Sequence, residues 1–279
     1  MGLGSTTSGG AGALADRYRP GAVVSGPRRG SGVVLICEHA SAEIPAPLGD
    51  LGLRPEDRHS HAVWDIGALD VAQAMRDALD APLVAGATSR LVYDCNRPPE
   101  AESAIPARSE VVEVPGNRHL TEEQRAERAR SVYAPFSAAV GDVLSHQRAR
   151  PALVTVHSFT PVWHGVPRAT EIGLLHDADD ALARAMLAAA PGFTDLRCEL
   201  NAPYAAKDGV THTLARFATV AALPSVMIEV RNDLVDTAAK ARRVGQQLAE
   251  MLWEGLAVIG HTGAGSDRAG AHGQGAERR

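Results

Sequence analysis

Two histidines follow apolar runs that lie far apart in the chain, and their placement points to a shared metal ion. Val33-Val34-Leu35-Ile36-Cys37 leads into Glu38-His39-Ala40-Ser41, and Ala152-Leu153-Val154-Thr155-Val156 leads into His157-Ser158-Phe159. Short β-branched runs of this kind read as buried strands of a parallel sheet. Ligands of open α/β sheets bind outside the carboxyl ends of the strands, and neutral imidazole is the commonest metal ligand. Taken singly, His39 also reads as a histidine capping a turn. His157 likewise reads as a packed ring, or as one exposed where its strand leaves the sheet. Taken together they call for a third ligand, because three protein groups plus water form the usual catalytic zinc site. Asp65 is one choice, although at the expected start of a helix it would also complement the helix dipole. Glu43, four residues after His39, is the other. His59 and His61 are expected in an exposed polar loop.

Glu229 lies within Val226-Met227-Ile228-Glu229-Val230-Arg231. A carboxylate in an apolar strand must be paired, coordinated or protonated. A general base beside a metal-activated water meets that need. So does an ion pair with Arg231, which strand alternation puts on the same side. A further cluster, Ser89-Arg90-Leu91-Val92-Tyr93-Asp94-Cys95-Asn96-Arg97, carries two arginines. Arg90 and Arg97 suit a bidentate grip on an anionic ligand, or ion pairs with Asp94 or Glu100. Other chemistries are less well supported. Ser158 cannot form a triad with its neighbour His157, because adjacent strand residues point apart. There is no G-x-S-x-G elbow, no P-loop, and no G-x-G-x-x-G after a strand. Cys37 sits inside an apolar run and reads as a small core residue.

The elements that must position these groups alternate along the chain. Strands are expected at 33–37, 83–85, 152–156, 171–175, 196–200 and 225–230. Helices are expected at about 62–80, 121–148, 177–190, 209–221 and 234–258. Thr121-Glu122-Glu123-Gln124 is a capping-box signature, and Pro135 is expected to kink the helix it opens. This alternation predicts an α/β fold, with a mainly parallel mixed sheet flanked by helices on both faces. Residues 1–12 and 262–279 lack apolar periodicity and are expected to be flexible tails around a single domain, 13–261. The 279 residues are 45% hydrophobic and 22% charged, with a net charge of -5. That balance gives no basic footprint for nucleic acid. No apolar stretch approaches membrane-spanning length, and no signal peptide is evident. Cys37, Cys95 and Cys198 are too scattered for a disulfide framework. A cytoplasmic protein is expected.

In order along the chain, several segments resemble the N-formylglutamate amidohydrolase family. They are Cys37-Glu38-His39-Ala40-Ser41 with Ile44-Pro45, Trp64-Asp65-Ile66-Gly67, Ser89-Arg90 with Asp94, Asn96 and Arg97, and Val156-His157-Ser158-Phe159. Ile172-Gly173-Leu174-Leu175, Asn201-Ala202-Pro203-Tyr204 with Asp208-Gly209-Val210-Thr211, and Ile228-Glu229 continue the series. The resemblance runs from about Val33 to Leu256. It implies a zinc-exopeptidase-like fold with one Zn2+ held by His39, Asp65 and His157, and Glu229 as the catalytic carboxylate. It further implies that Arg90, Arg97, Asn96 and Ser158, with Arg231, contact a small acidic N-acyl amino acid. N-formylglutamate, cleaved to formate and glutamate, is the expected substrate. The alternatives are a zinc amidase or carboxypeptidase-like enzyme on another acylated or acidic substrate, or a non-catalytic binder of small acids with the same fold. Phe217, after Arg216, departs from the histidine expected in many relatives, which bears on the acyl substrate if that position lines the pocket.

Overall fold

The computed structural model describes residues 21–147 and 150–261. The tails expected at 1–12 and 262–279 lie outside the described residues. The apolar runs become strands β2 (Val33–Cys37), β3 (Leu83–Gly86), β6 (Ala152–Phe159), β9 (Ile172–Leu175), β10 (Cys198–Leu200) and β11 (Ser225–Arg231). An edge strand, β1 (Ala22–Ser25), completes a seven-stranded sheet in the order β1-β3-β2-β6-β11-β9-β10. The four central strands β3, β2, β6 and β11 are mutually parallel. β1 runs antiparallel to β3, and β9 antiparallel to β11. The sheet is therefore mixed around a parallel centre.

Both faces of the sheet are covered, which explains why its strands are apolar rather than alternating. One face packs Val33, Leu35, Val154, Val156, Val226 and Ile228 against helices α1 (Ala68–Leu79), α4 (Ala181–Ala189) and α5 (Ala238–Val258). The other face packs Val34, Ile36, Leu153 and Met227 with Phe136 and Val140 of helix α3 (Ala134–Ser145). Each such fully buried side chain contributes roughly 1.5–3 kcal/mol relative to exposure. By alternation, His157 and Glu229 share the second face with Met227,.

Several elements differ from expectation. The first helix begins at Ala68 rather than near 62, because Gly67 adopts φ 79° and ends a run of turns. Asp65 thus precedes the helix and does not cap it. His157 lies within β6, which continues to Phe159, instead of at an exposed sheet edge. The capping box at Thr121 forms, opening α2 (Glu122–Arg128), but a π-turn at Ala129–Tyr133 separates α2 from α3. Pro135 follows that turn and has no N–H to continue an α-helical ladder through it. A π-turn at Leu214–Thr219 likewise forms most of the helix expected at 209–221. Two hairpins, β4 (Arg108–Ser109) with β5 (Val112–Glu113) and β7 (Val162–Trp163) with β8 (Val166–Pro167), had no counterpart in the sequence reading. No helix among the described residues is long and apolar enough to cross a membrane.

Candidate metal centre and catalytic pocket

The carboxyl ends of β2, β6 and β11 deliver His39, His157 and Glu229 to one cavity of about 200 Å³. His39 leaves β2 in a turn held by the Asp65 N–H, which donates to the His39 carbonyl at 3.0 Å. That bond draws Asp65 beneath the histidines. Gly86 at the end of β3 fixes the same turn from the other side, since a Cβ there would lie 2.1 Å from the Glu38 carbonyl oxygen.

The three buried side chains His39, Asp65 and His157 converge. His39 Nδ1 lies 3.2 Å from Asp65 Oδ2, and His157 Nδ1 lies 2.9 Å from the same oxygen. The two Nδ1 atoms are 3.2 Å apart. The outer nitrogens face carboxylates: His39 Nε2 is 2.7 Å from Asp94 Oδ1, and His157 Nε2 is 3.1 Å from Glu38 Oε2. The second contact is misaligned for a full hydrogen bond and acts through charge. With each Nε2 carrying the proton that faces its carboxylate, both Nδ1 lone pairs and an anionic oxygen point at one another. Such an arrangement needs a cation or extra protons at its centre. Ligands about 2.0–2.1 Å from zinc in a tetrahedron stand about 3.3 Å from one another, close to the observed spacings. The carboxylates behind the rings orient them as in carboxylate–histidine–metal sites. The donor set therefore fits a divalent cation.

Charge in the cluster agrees. Glu38, Asp65 and Asp94 are almost fully buried, and Arg90 is the guanidinium among them, 3.0 Å from Asp65 Oδ1 and 3.3 Å from Asp94 Oδ2. Burial would raise the Asp65 carboxyl, but His39, His157 and Arg90 hold it well below its ordinary value. Burial likewise opposes protonation of His157, yet Glu38 and Asp65 raise its pKa. For His39, Asp94 and Asp65 outweigh burial and Arg90. Without metal, protons fill the place of the cation. Glu229 differs. Burial, reinforced by Asp65, pushes its carboxyl up to about 7 against the pull of His157 and Arg90. It pairs in register with His157 across β6 and β11, and its buried Oε2 has no hydrogen-bond partner among the described residues.

The sequence matches the family profile described as N-formylglutamate amidohydrolase over residues 31–235, a span that holds every side chain of this centre. The chain belongs to the N-formylglutamate amidohydrolase family. Among solved structures, a gene product of Agrobacterium tumefaciens is 44% identical, with 86% of this chain and 96% of that chain covered at a TM-score of 0.82. The N-formylglutamate amidohydrolase from Ralstonia eutropha JMP134 is 15% identical, with 85% and 98% covered at a TM-score of 0.60, a likeness of fold. The curated proteins gave no match.

Within this amidohydrolase family member, the expected substrate residues separate. Arg90, Asn96, Arg97 and Ser158 line the cavity, while Arg231 is absent from its lining. Arg231 instead holds Asp233 at 2.8 Å and Glu171 at 3.3 Å, so no Glu229–Arg231 pair forms. Arg90 is engaged by Asp65 and Asp94. Arg97 Nη1 donates to the Asp208 and Gly209 carbonyls. Asn96 donates to the Val210 carbonyl and accepts from the Thr213 N–H. Ser158 Oγ donates to the Ile66 carbonyl at 2.8 Å. Glu43 is exposed and lies outside the converging group. Phe217 packs in the hydrophobic layer instead of on the cavity wall. His61, expected to be exposed, is buried on that wall, and burial lowers its pKa to about 4. The roles of Glu38 and Asp94 escaped the sequence reading, as did Glu110, Trp163 and Tyr204 on the wall. The available signals lay inside segments already quoted: Glu38 beside His39, Asp94 between Arg90 and Arg97, and Tyr204 in Asn201-Ala202-Pro203-Tyr204.

Proposed function

We propose that this protein is a metal-dependent amidohydrolase that cleaves the linear amide of an N-formyl or N-acyl amino acid within a single domain, 13–261. Zinc is the first choice of metal, with His39, Asp65 and His157 as its ligands. The observation that carries the reading is the convergence of two Nδ1 atoms and Asp65 Oδ2 beside the unpartnered Oε2 of Glu229. A divalent ion bound there supplies polarisation of the scissile carbonyl and lowers the pKa of water towards ~7.

The chain's own groups do the rest. Glu229, poised near neutrality, takes the proton from the attacking water and delivers it to the departing amine nitrogen. Asp94 by hydrogen bond and Glu38 by charge favour the tautomer with the proton on each Nε2, leaving both Nδ1 lone pairs turned toward Asp65 Oδ2, where His39, Asp65 and His157 would hold the metal,. Arg90 fixes Asp65 and Asp94 in place. Arg97, whose Nη1 is committed to the Asp208–Gly209 loop and whose Nε lies 3.9 Å from Asp94 Oδ2, is the lining arginine assigned to the substrate α-carboxylate, and this sets the amide against the reacting groups,. N-formylglutamate is the reference substrate of the family, with formate and glutamate as products.

Elemental analysis of purified protein, paired with a formate-release assay, tests the reading. The expected result is about one zinc per chain and turnover of N-formyl amino acids, with His39→Ala losing both. Full activity in metal-stripped protein or in His39→Ala overturns it.

A further inference from the structure

The cavity has a wall that the hydrolytic machinery does not use. It is built from the tips of two hairpins, with Ser109 and Glu110 from one and Trp163 from the other. Glu110 caps its hairpin at φ 54°, a left-handed conformation uncommon for a residue with a side chain,. Its backbone carbonyl accepts from Arg108 Nε, whereas its half-buried carboxylate has no hydrogen bond or ion pair among the described residues. Burial raises the Glu110 pKa, while Arg168, Arg90 and His164 pull the other way. A partner brought in by a ligand would remove this penalty.

The two arginines of the cavity lining are already engaged. Arg90 lies between Asp65 and Asp94. Arg97 is tied to Asp208 and Gly209 and, on the reading above, meets an α-carboxylate. Arg168 is absent from the cavity lining and stacks on Phe159, Trp163 and Tyr204, with ring centroids 5.4, 4.9 and 5.0 Å from its guanidinium carbon. Its nitrogens donate to the Thr160 carbonyl and to Tyr204 Oη. Four carboxylates of the lining (Asp65, Asp94, Glu110 and Glu229) face the two arginines Arg90 and Arg97. A divalent ion would neutralise that excess without creating a positive surplus. A second carboxylate on the substrate therefore meets no unengaged arginine in the cavity lining, and on the hairpin side it meets Glu110, with Arg168 held behind Trp163 and Tyr204 by neutral partners.

We propose that Glu110 is a specificity-determining residue that disfavours a side-chain carboxylate and selects N-acyl amino acids whose side chain ends in an ammonium, a guanidinium or another hydrogen-bond donor. This inference rests on the amidohydrolase reading and narrows its substrate class away from glutamate. Specificity here is a difference of two affinities, and like-charge rejection supplies half of it.

The test measures kcat/KM for N-formyl-lysine and N-formylglutamate, each referred to neutral N-formylglutamine, in the zinc-loaded wild type and in Glu110→Gln and Glu110→Lys. The wild type should favour the lysine compound over the glutamate compound by about tenfold or more. Glu110→Gln should erase most of that ratio, and Glu110→Lys should reverse it. A wild-type preference for formylglutamate, or a ratio that both variants leave unmoved, overturns the proposal. If none of the three compounds is cleaved, the amidohydrolase reading fails separately. Calorimetric binding of free lysine and glutamate to the same three proteins then reads Glu110 directly. Equal affinities in the wild type would overturn its role.

Discussion

Glu229 carries the sharpest prediction at the scale of single residues. Glu229→Gln keeps the shape of the side chain and leaves the three converging ligand atoms untouched. It should retain metal while kcat falls by about 10²–10⁴, as read by metal analysis and steady-state kinetics on one preparation. The same variant reports on stability. In metal-free protein the Glu229 carboxyl is raised from its ordinary 4.5 to about 7. The folded state then holds the proton more tightly than the unfolded chain. That contribution is complete below the unfolded pKa and is lost as pH rises through about 7. Metal-free Glu229→Gln should therefore lose less stability than wild type between about pH 5 and pH 8, by up to about 3 kcal/mol, in urea titrations. Equal losses would show that the carboxyl titrates normally. His39, His157 and Glu229 were legible in the sequence because each is a polar residue following or interrupting an apolar run. Glu38 and Asp94 were not. Glu38 adjoins His39 yet serves His157, and Asp94 reaches His39 only after the loop beyond β3 folds back, a pairing no spacing rule encodes.

Elements set the precision of these contacts. The Glu38–His39 turn is clamped where Gly86 approaches the Glu38 carbonyl so closely that a methyl group has no room. Gly86→Ala should destabilise the fold by about 2–3 kcal/mol through forced backbone movement. It should also weaken metal binding, because the displaced turn carries one ligand and the carboxylate behind another. Chemical denaturation and a competitive chelator titration read the two effects, and unchanged metal affinity would separate the turn from the site. The strands were legible since burial on both faces leaves nearly continuous Val, Ile and Leu. The first helix starts six residues later than its periodicity predicts, because Ala62 and Val63 pack into the core from a turn and mimic helical spacing. The hairpins at 108–113 and 162–167 escaped because two-residue strands are too short to show any period. The π-turns escaped because they leave amphipathic spacing almost intact while shifting the hydrogen bonds.

At the scale of the whole molecule, metal and fold should be linked. The cluster of Glu38, Asp65 and Asp94 around one arginine is balanced in the native state by bound cation or by protons, and unfolding disperses it. Stripping zinc with a chelator should therefore lower Tm, by roughly 10 °C if free zinc had been about 1,000 times its Kd. Differential scanning calorimetry before and after zinc is restored checks this. An unchanged Tm would mean that the centre carries no metal under those conditions. The family profile covers the parallel strands and both hairpins, yet these parts are anchored differently. The groups proposed to react ride on strands locked into register across the interior, with His157 opposite Glu229. Glu110 and Trp163 hang from short ribbons outside that sheet. If Glu110 selects the substrate as proposed, a lineage would change its diet by editing a few positions in those ribbons, while the strand-borne groups stay inherited whole.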